Sequence, residues 1–194
     1  MNYKLFQDIN QMAGQHPFLD GFMVFVTQKA LIIYALTLLA MWLFGKEKYK
    51  QSVCFATFTS VLALCISFVI GQIYFEARPF VSHNVNLLIS HAADASFPSD
   101  HTTGAFSLAF AILFRHRKIG TGMLLLAILT GFSRVYVGHH YPFDVLGGVI
   151  VGLVASIFVY KFSSILQPIA NVIIRIYNKI PFVPKNNKSE THNV

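Results

Sequence analysis

The sequence predicts an all-α integral membrane bundle of about five spanning helices, with interfacial amphipathic helices at its ends. Three observations predict it. The 194 residues are 55% hydrophobic and only 12% charged, against about 45–50% and 25% in soluble domains. Mean hydropathy is +0.57. A chain this short has too much surface for its volume to bury that surplus in one core, so the surplus faces lipid. A cytosolic globule is excluded on this ground, and 19 Phe with 8 Tyr exclude a disordered chain.

Taken in order, segment 3–15 spaces Leu5, Phe6, Ile9, Met12 and Ala13 at helical intervals and reads as a helix lying in the membrane interface. Apolar runs of spanning length, roughly 17–25 residues, cover 22–45, 53–75, 119–137 and 144–164. A fifth run, 101–115, is shorter, so its first turn is expected at the membrane surface or inside the protein. Lys29 interrupts the first run and can snorkel from an outer end. Segment 168–180 sets Ile169, Val172, Ile173 and Ile176 opposite Arg175 and Lys179 and reads as a second interfacial helix. One membrane-embedded domain is expected over 1–183, followed by a polar cytoplasmic tail over 184–194. Cys54 and Cys65 fall in one run, about 16 Å apart along a helix axis, and are packing residues rather than a disulfide.

The formal charge of +7 points to nucleic acid until the charges are located. Eleven of the fifteen basic residues follow the first, third or fifth run: Lys46, Lys48 and Lys50; Arg115, Arg117 and Lys118; Lys161, Arg175, Lys179, Lys185 and Lys188. They lie on one side of a five-span topology, which the positive-inside rule makes the cytoplasm. Their charge is topology, and no nucleic-acid partner is expected. Six of the eight acids fall on the other side, so the loops 76–100 and 138–143 face outward from a plasma membrane.

Those outward loops, with the helix ends beside them, gather Arg78-Pro79, Pro98-Ser99-Asp100-His101, Ser133-Arg134 and His139-His140-Tyr141-Pro142-Phe143-Asp144. Ionisable residues near membrane depth read as functional. Ser99 stands at an N-cap position, so backbone N–H groups of the next turn make an anion site. Pro142 suits the first position of a helix, which puts Asp144 in its opening turn. There the carboxylate can accept a hydrogen bond from one nitrogen of His140 and leave the other free as a nucleophile. Arg78 and Arg134 are planar cationic forks suited to phosphate oxygens. The set describes phosphoryl transfer through a phosphohistidine, with His101 protonating the departing oxygen. Neither a metal nor another cofactor is required. His139, His83 and His91 read as loop residues, with His83 or His91 able to supply a cation when protonated. Gly147, Gly148 and Gly152 read as close helix packing.

The pattern Arg-Pro, eighteen residues, Pro-Ser-Asp-His, thirty-one residues, Ser-Arg-x5-His-x3-Asp resembles the three-part signature of the type 2 phosphatidic acid phosphatases and vanadium haloperoxidases. Ser-Phe-Pro-Ser-Asp-His-Thr-Thr and Gly-His-His-Tyr-Pro-Phe-Asp look most like the bacitracin-resistance type of undecaprenyl-diphosphate phosphatase. That resemblance implies a six-helix core, an outward-facing site and a polyprenyl diphosphate substrate hydrolysed to the monophosphate, which recycles the carrier lipid of cell-wall synthesis and confers bacitracin resistance. It also implies the roles: His140 nucleophile, His101 general acid, Asp144 orienting carboxylate, and Arg78, Pro79, Ser99, Asp100, Ser133 and Arg134 around the phosphate. Phosphatidylglycerol phosphate or phosphatidate is the alternative substrate. A lipid carrier that binds the diphosphate in the same cleft without cleaving it is the non-enzymatic alternative. Two positions depart from the family: Gly71 stands where a lysine is frequent, and Asp100 where glycine is common.

Overall fold

The computed structural model describes residues 1–181, 183 and 184. The expected polar tail thus lies outside the described residues, apart from Pro184. Among the described residues eight helices follow one another: α1 (Asn2–Asn10), α2 (Pro17–Phe44), α3 (Glu47–Ile73), α4 (Pro79–Ser82), α5 (Asp100–Leu113), α6 (Arg117–Tyr136), α7 (Pro142–Lys161) and α8 (Ser163–Lys179). Six of them have 14 residues or more, in keeping with the six-helix core that the resemblance implies. α2 and α3 begin earlier than their apolar runs because Pro17 and Glu47 are good first-turn residues that extend each helix past the lipid-facing stretch.

Four helices, α2, α3, α6 and α7, are long and apolar enough to cross a membrane. The fifth expected span, α5, has only 14 residues, about 21 Å at 1.5 Å per residue. It is enclosed instead of exposed to lipid: nine of its residues are buried, and α2, α3, α6 and α7 all pack on it. A short helix suffices there because its backbone is screened by protein. Leu36, Leu39, Phe68, Val69, Leu125, Ile128, Ile150 and Val154 point outward around the bundle, as a lipid-facing surface requires. The chain is an integral membrane protein.

Close approach of α5 to α7 is what lets two site-bearing helix ends meet. A Cβ on Gly148 would lie 2.9 Å from the Ser99 carbonyl oxygen and 3.0 Å from the Thr103 nitrogen, and one on Gly152 would lie 2.9 Å from the Ser107 nitrogen. These neighbours are backbone and cannot swing aside. Gly148→Val is therefore expected to destabilise the protein by about 1–3 kcal/mol through overpacking and to spread the site. A lower thermal midpoint in detergent checks this, and an unchanged midpoint with full activity would contradict it.

α1 and α8 occupy opposite ends. α8 packs mainly along α3, with Ala170 and Ile174 buried beside Cys54 and Ile165, Ile169 and Ile176 exposed, the division of an interfacial helix. α1 is tied to the site loops by buried Asn10, whose Nδ2 donates to the carbonyls of Asn86 and Tyr136 at 2.9 Å each while its Oδ1 accepts from Asn86 N at 2.9 Å. Cys54 is buried, Cys65 is exposed, and both are free thiols.

Candidate active site

The site lies where the C-terminal end of α3 and the N-terminal ends of α5 and α7 meet the C-terminal turn of α6. Two loop segments pair there through a single antiparallel bridge, Ala77 with Ala95, beside a Ser96 N to Glu76 O hydrogen bond of 2.8 Å. This pairing sets Arg78 and Ser96 side by side. Pro79 opens α4 and holds Arg78 in extended backbone before it; its own ring is buried and carries no polar group toward the site.

His140 enters from the α6–α7 turn. Gly138, at φ +90°, makes that turn, and a side chain there would lie 3.0 Å from the Asn86 carbonyl oxygen. The backbone N–H groups of His139 and His140 then donate back to the Arg134 carbonyl at 3.0 and 3.3 Å, so the histidines follow Arg134 in a fixed relation.

Two partners settle the tautomer of His140. A guanidinium can only donate, and Arg78 Nη1 lies 2.9 Å from His140 Nε2; a carbonyl can only accept, and Ser96 O lies 2.9 Å from Nδ1. Nδ1 therefore carries the proton and Nε2 offers a lone pair. The ring is 1% exposed, and burial, followed by the charges of Arg134 and Arg78, pushes its pKa well below 6.5, so it is neutral at physiological pH.

Asp144 is the third residue of α7, as expected, and fully buried. Its Oδ2 accepts the Ser96 hydroxyl at 2.5 Å and the Tyr141 N–H at 2.8 Å. Its separation from His140 Nδ1 is 3.4 Å. The expected direct carboxylate–imidazole hydrogen bond is thus corrected: the nearer acceptor of Nδ1–H is the Ser96 carbonyl, and Ser96 links carboxylate to ring. Ser96 sits in the Ser-Phe-Pro-Ser run, where only its place two residues before a proline marked it.

The two arginines differ. Arg78 is 5% exposed, and its Nε donates to Asp94 Oδ1 at 2.7 Å while Nη1 also reaches the His139 carbonyl at 3.1 Å. Burial opposes ionisation of Asp94, but the Arg78 hydrogen bond and charge outweigh it and hold the carboxyl below its ordinary range. Among the described residues, neither Glu76 nor Asp100 forms an ion pair with an arginine. Arg134 is 2% exposed, and its Nε and Nη2 have no hydrogen-bond partner.

The remaining expected residues divide. Ser99 is the N-cap of α5, but its hydroxyl accepts from Thr102 Oγ1 at 3.1 Å instead of capping the first turn. Half-buried His101 stands in that first turn, within electrostatic range of Arg134 and Arg78. The Asp100 side chain turns away to accept the Ser67 hydroxyl at 2.6 Å, which leaves only its backbone facing the helix N-terminus. Ser133 does not offer its side chain to the site. Its hydroxyl donates to the Thr130 carbonyl and accepts from Thr27 Oγ1, both at 2.8 Å, in the α2–α6 contact.

The loop histidines behave as packing residues. His139 Nε2 donates to the Ile89 carbonyl at 2.8 Å, and His83 stacks on Tyr3 with centroids 3.9 Å apart. His91 lies beside His139 and His140, with centroids 4.7 and 6.5 Å away. Burial first, and then the two arginines, lower its pKa, which disfavours the protonated form needed to supply the cation absent at Gly71. That glycine lies beside the site loop, a Cβ on it being 3.7 Å from both Ala95 Cβ and the Phe97 carbonyl oxygen. Among the described residues, no group of three or more His, Cys, Asp or Glu could hold a metal ion.

The ends of the helices in this membrane bundle thus converge on a histidine with an unprotonated Nε2, two buried guanidiniums and a buried carboxylate. The chain belongs to the PAP2 superfamily, whose family profile matches residues 52–167. It is 48% identical over 180 residues to the undecaprenyl-diphosphatase BcrC of Bacillus subtilis, covering 93% of each chain. It is 34% identical over 192 residues to the bacitracin transport permease protein BcrC of Bacillus licheniformis, covering 97% of this chain and 94% of that one. The crystal structure of Aquifex aeolicus LpxE superposes with a TM-score of 0.69 at 30% identity, covering 82% of this chain and 94% of that one.

Proposed function

We propose that this protein hydrolyses undecaprenyl diphosphate to undecaprenyl phosphate and inorganic phosphate, from an active site facing outward from the cell membrane, and that residues 1–183 act as one catalytic unit. The observation that carries the mechanism is the His140 tautomer, with its unprotonated Nε2 beside Arg78 and near the unpartnered donors of Arg134. Similarity to the Bacillus subtilis undecaprenyl-diphosphatase supports the substrate.

In this reading the terminal phosphate enters between the guanidiniums and takes the Arg78 N–H from Nε2, which frees the lone pair. A buried cation without an acceptor is unfavourable, so phosphate oxygens also satisfy Arg134, and the first turn of α5 supplies backbone N–H groups. Nε2 attacks phosphorus; the Nε2–P bond forms as the bridging P–O bond breaks, and His101 donates its proton to the departing lipid phosphate. The positive charge on the phosphorylated ring is balanced by Asp144 through Ser96. Water deprotonated by His101 then attacks phosphorus, releasing phosphate and restoring His140. Fixed cations stabilise the charge on the transferring group throughout.

The pH dependence has a defined sign. His140 must be unprotonated, so kcat/KM falls along an acid limb. His101 must be protonated; because burial, followed by the Arg134 charge, lowers its pKa to about 4 in the free protein, it takes up its proton together with the phosphate, whose charge offsets the arginines, and the alkaline limb belongs to kcat. Because the His140 pKa is lowered, its limb lies below pH 6.5, and an acid limb at or above 6.5 would contradict the assignment. EDTA is expected to leave the rate within about twofold, since fixed arginines carry the charge stabilisation that a metal would otherwise provide; loss of activity reversed by a divalent ion would contradict this.

The substrate is tested by phosphate release from undecaprenyl diphosphate, phosphatidylglycerol phosphate and phosphatidate in parallel. Preference for the polyprenyl lipid is expected. Release from the glycerolipids alone would keep the chemistry and overturn the substrate. The name of the Bacillus licheniformis relative favours transport as a second reading, which predicts lipid binding with no phosphate release from any of the three.

A further inference from the structure

At the end of the bundle opposite the site, a cavity of about 570 Å³ opens between the start of α3, the α5–α6 turn, the end of α7 and the start of α8. Lys48, Arg115 and His116 converge on it with Ser52 and Gln167, and among the described residues no carboxylate lines it. Among the described residues the two cations, Lys48 and Arg115, are held by rings and a backbone carbonyl, not by anions: Lys48 Nζ lies 5.4 Å over the Tyr49 ring, and Arg115 Nη1 donates to the Ala111 carbonyl at 3.3 Å. Arg115 lies 4.5 Å over the Phe55 ring and 5.1 Å over Tyr160. Ser52 donates to the Lys48 carbonyl at 2.8 Å, so its oxygen accepts from His116 Nε2 at 2.9 Å, and the His116 ring stacks on Tyr49 at 4.3 Å. Among the described residues, no ion pair joins Glu47, the nearest acid in sequence, to this group. Burial, followed by the charges of Lys48 and Arg115, lowers the His116 pKa, which favours a neutral imidazole beside those two cations.

A second cavity, of about 640 Å³, adjoins the first and shares Phe114 and Tyr160 with it. Its lining surface is mainly apolar, through Leu113, Phe114 and Ile157, and also carries the basic residues Arg117 and Lys161. A cationic chamber that continues into an apolar groove along membrane helices matches an amphiphile with an anionic head.

We propose that these paired cavities bind a phosphate-headed lipid of the leaflet opposite the active site, its phosphate against Lys48, Arg115 and His116 and its chain along Leu113 and Ile157. The site is separate from the proposed catalytic centre and does not depend on it. It would brace α8 and the α5–α6 turn against the bundle.

The test uses the purified full-length protein in nanodiscs of phosphatidylcholine, with a fluorescent phosphatidylglycerol titrated in. Lys48→Gln, Arg115→Gln and His116→Gln are compared with Lys118→Gln, a basic residue of the same end outside both cavities. Each cavity variant is expected to weaken binding about fivefold, the scale of one basic side chain at an anionic surface, while Lys118→Gln leaves it unchanged. A thermal midpoint in detergent near that of the wild type shows that each variant is folded, and the milder His116→Gln serves if Arg115→Gln is not. Equal weakening by all four variants, or by none, would overturn the site. Competition by inorganic phosphate at concentrations equal to the lipid would assign the chamber to the free ion and overturn the lipid reading.

Discussion

Replacing His140 with alanine is expected to lower turnover of undecaprenyl diphosphate by roughly 10⁴-fold or more, the scale seen when a covalent nucleophile is removed. This ring presents an unprotonated nitrogen directly to a guanidinium, since Arg78 donates to Nε2 and Ser96 accepts from Nδ1. Alanine leaves both of those groups without their partner, so part of any loss could come from a loosened site. His140→Gln separates the two causes. Its amide oxygen can accept from Arg78 and its amide nitrogen can donate to the Ser96 carbonyl, yet it cannot form a phosphoryl intermediate. Near-wild-type thermal stability with activity as low as that of alanine is the expected result. Activity of His140→Gln within tenfold of wild type would remove His140 from the chemistry.

The second large effect is expected at Asp144. Asp144→Asn should lower kcat by roughly 10²- to 10⁴-fold, as for other carboxylates that orient a catalytic histidine, with little change in KM. Phosphorylation of Nε2 puts a positive charge on the ring, and the buried carboxylate balances it across the Ser96 hydroxyl. Ser96→Ala should cost less, roughly 10-fold, because the Ser96 backbone carbonyl still accepts Nδ1–H and a single buried hydrogen bond is worth about 1–2 kcal/mol. If serine transmits the effect of the carboxylate, the double variant should be no worse than Asp144→Asn alone. Fully multiplicative losses would show that the two act independently.

How much was legible beforehand differs between fold and site. Runs of lipid-facing residues are one-dimensional signals, so four long helices were visible in the sequence. α5 was harder, because a helix screened by protein on all sides needs neither spanning length nor a lipid-facing stripe. Its small residues, Gly104, Ala105, Ala109 and Ala111, belong to close packing. Proline positions located α7 well, since Pro142 and Asp144 satisfy local rules of a helix start that need no tertiary contact.

Within the site, the residues that share a motif could be found, while their partners across loops could not. Asp94 is a lone acid in a loop, and only the Ala77–Ala95 bridge brings it to Arg78. Ser96 lies 44 residues from the histidine it holds. Ser133 is the converse case. It neighbours Arg134 in the chain, but successive helical residues point about 100° apart, so one enters the site and the other faces α2. Asp100 likewise keeps its backbone in the motif and sends its carboxylate to Ser67.

The most direct test of the covalent route is to mix the enzyme with undecaprenyl diphosphate labelled in its terminal phosphate, quench within a turnover under alkaline denaturing conditions that preserve phosphohistidine, and locate the label by peptide mass spectrometry. A single phosphoryl group on the peptide holding His140, absent in His140→Gln, is the predicted result. Full phosphate release with no enzyme-bound label at any quench time, or label on His101 in its place, would contradict it.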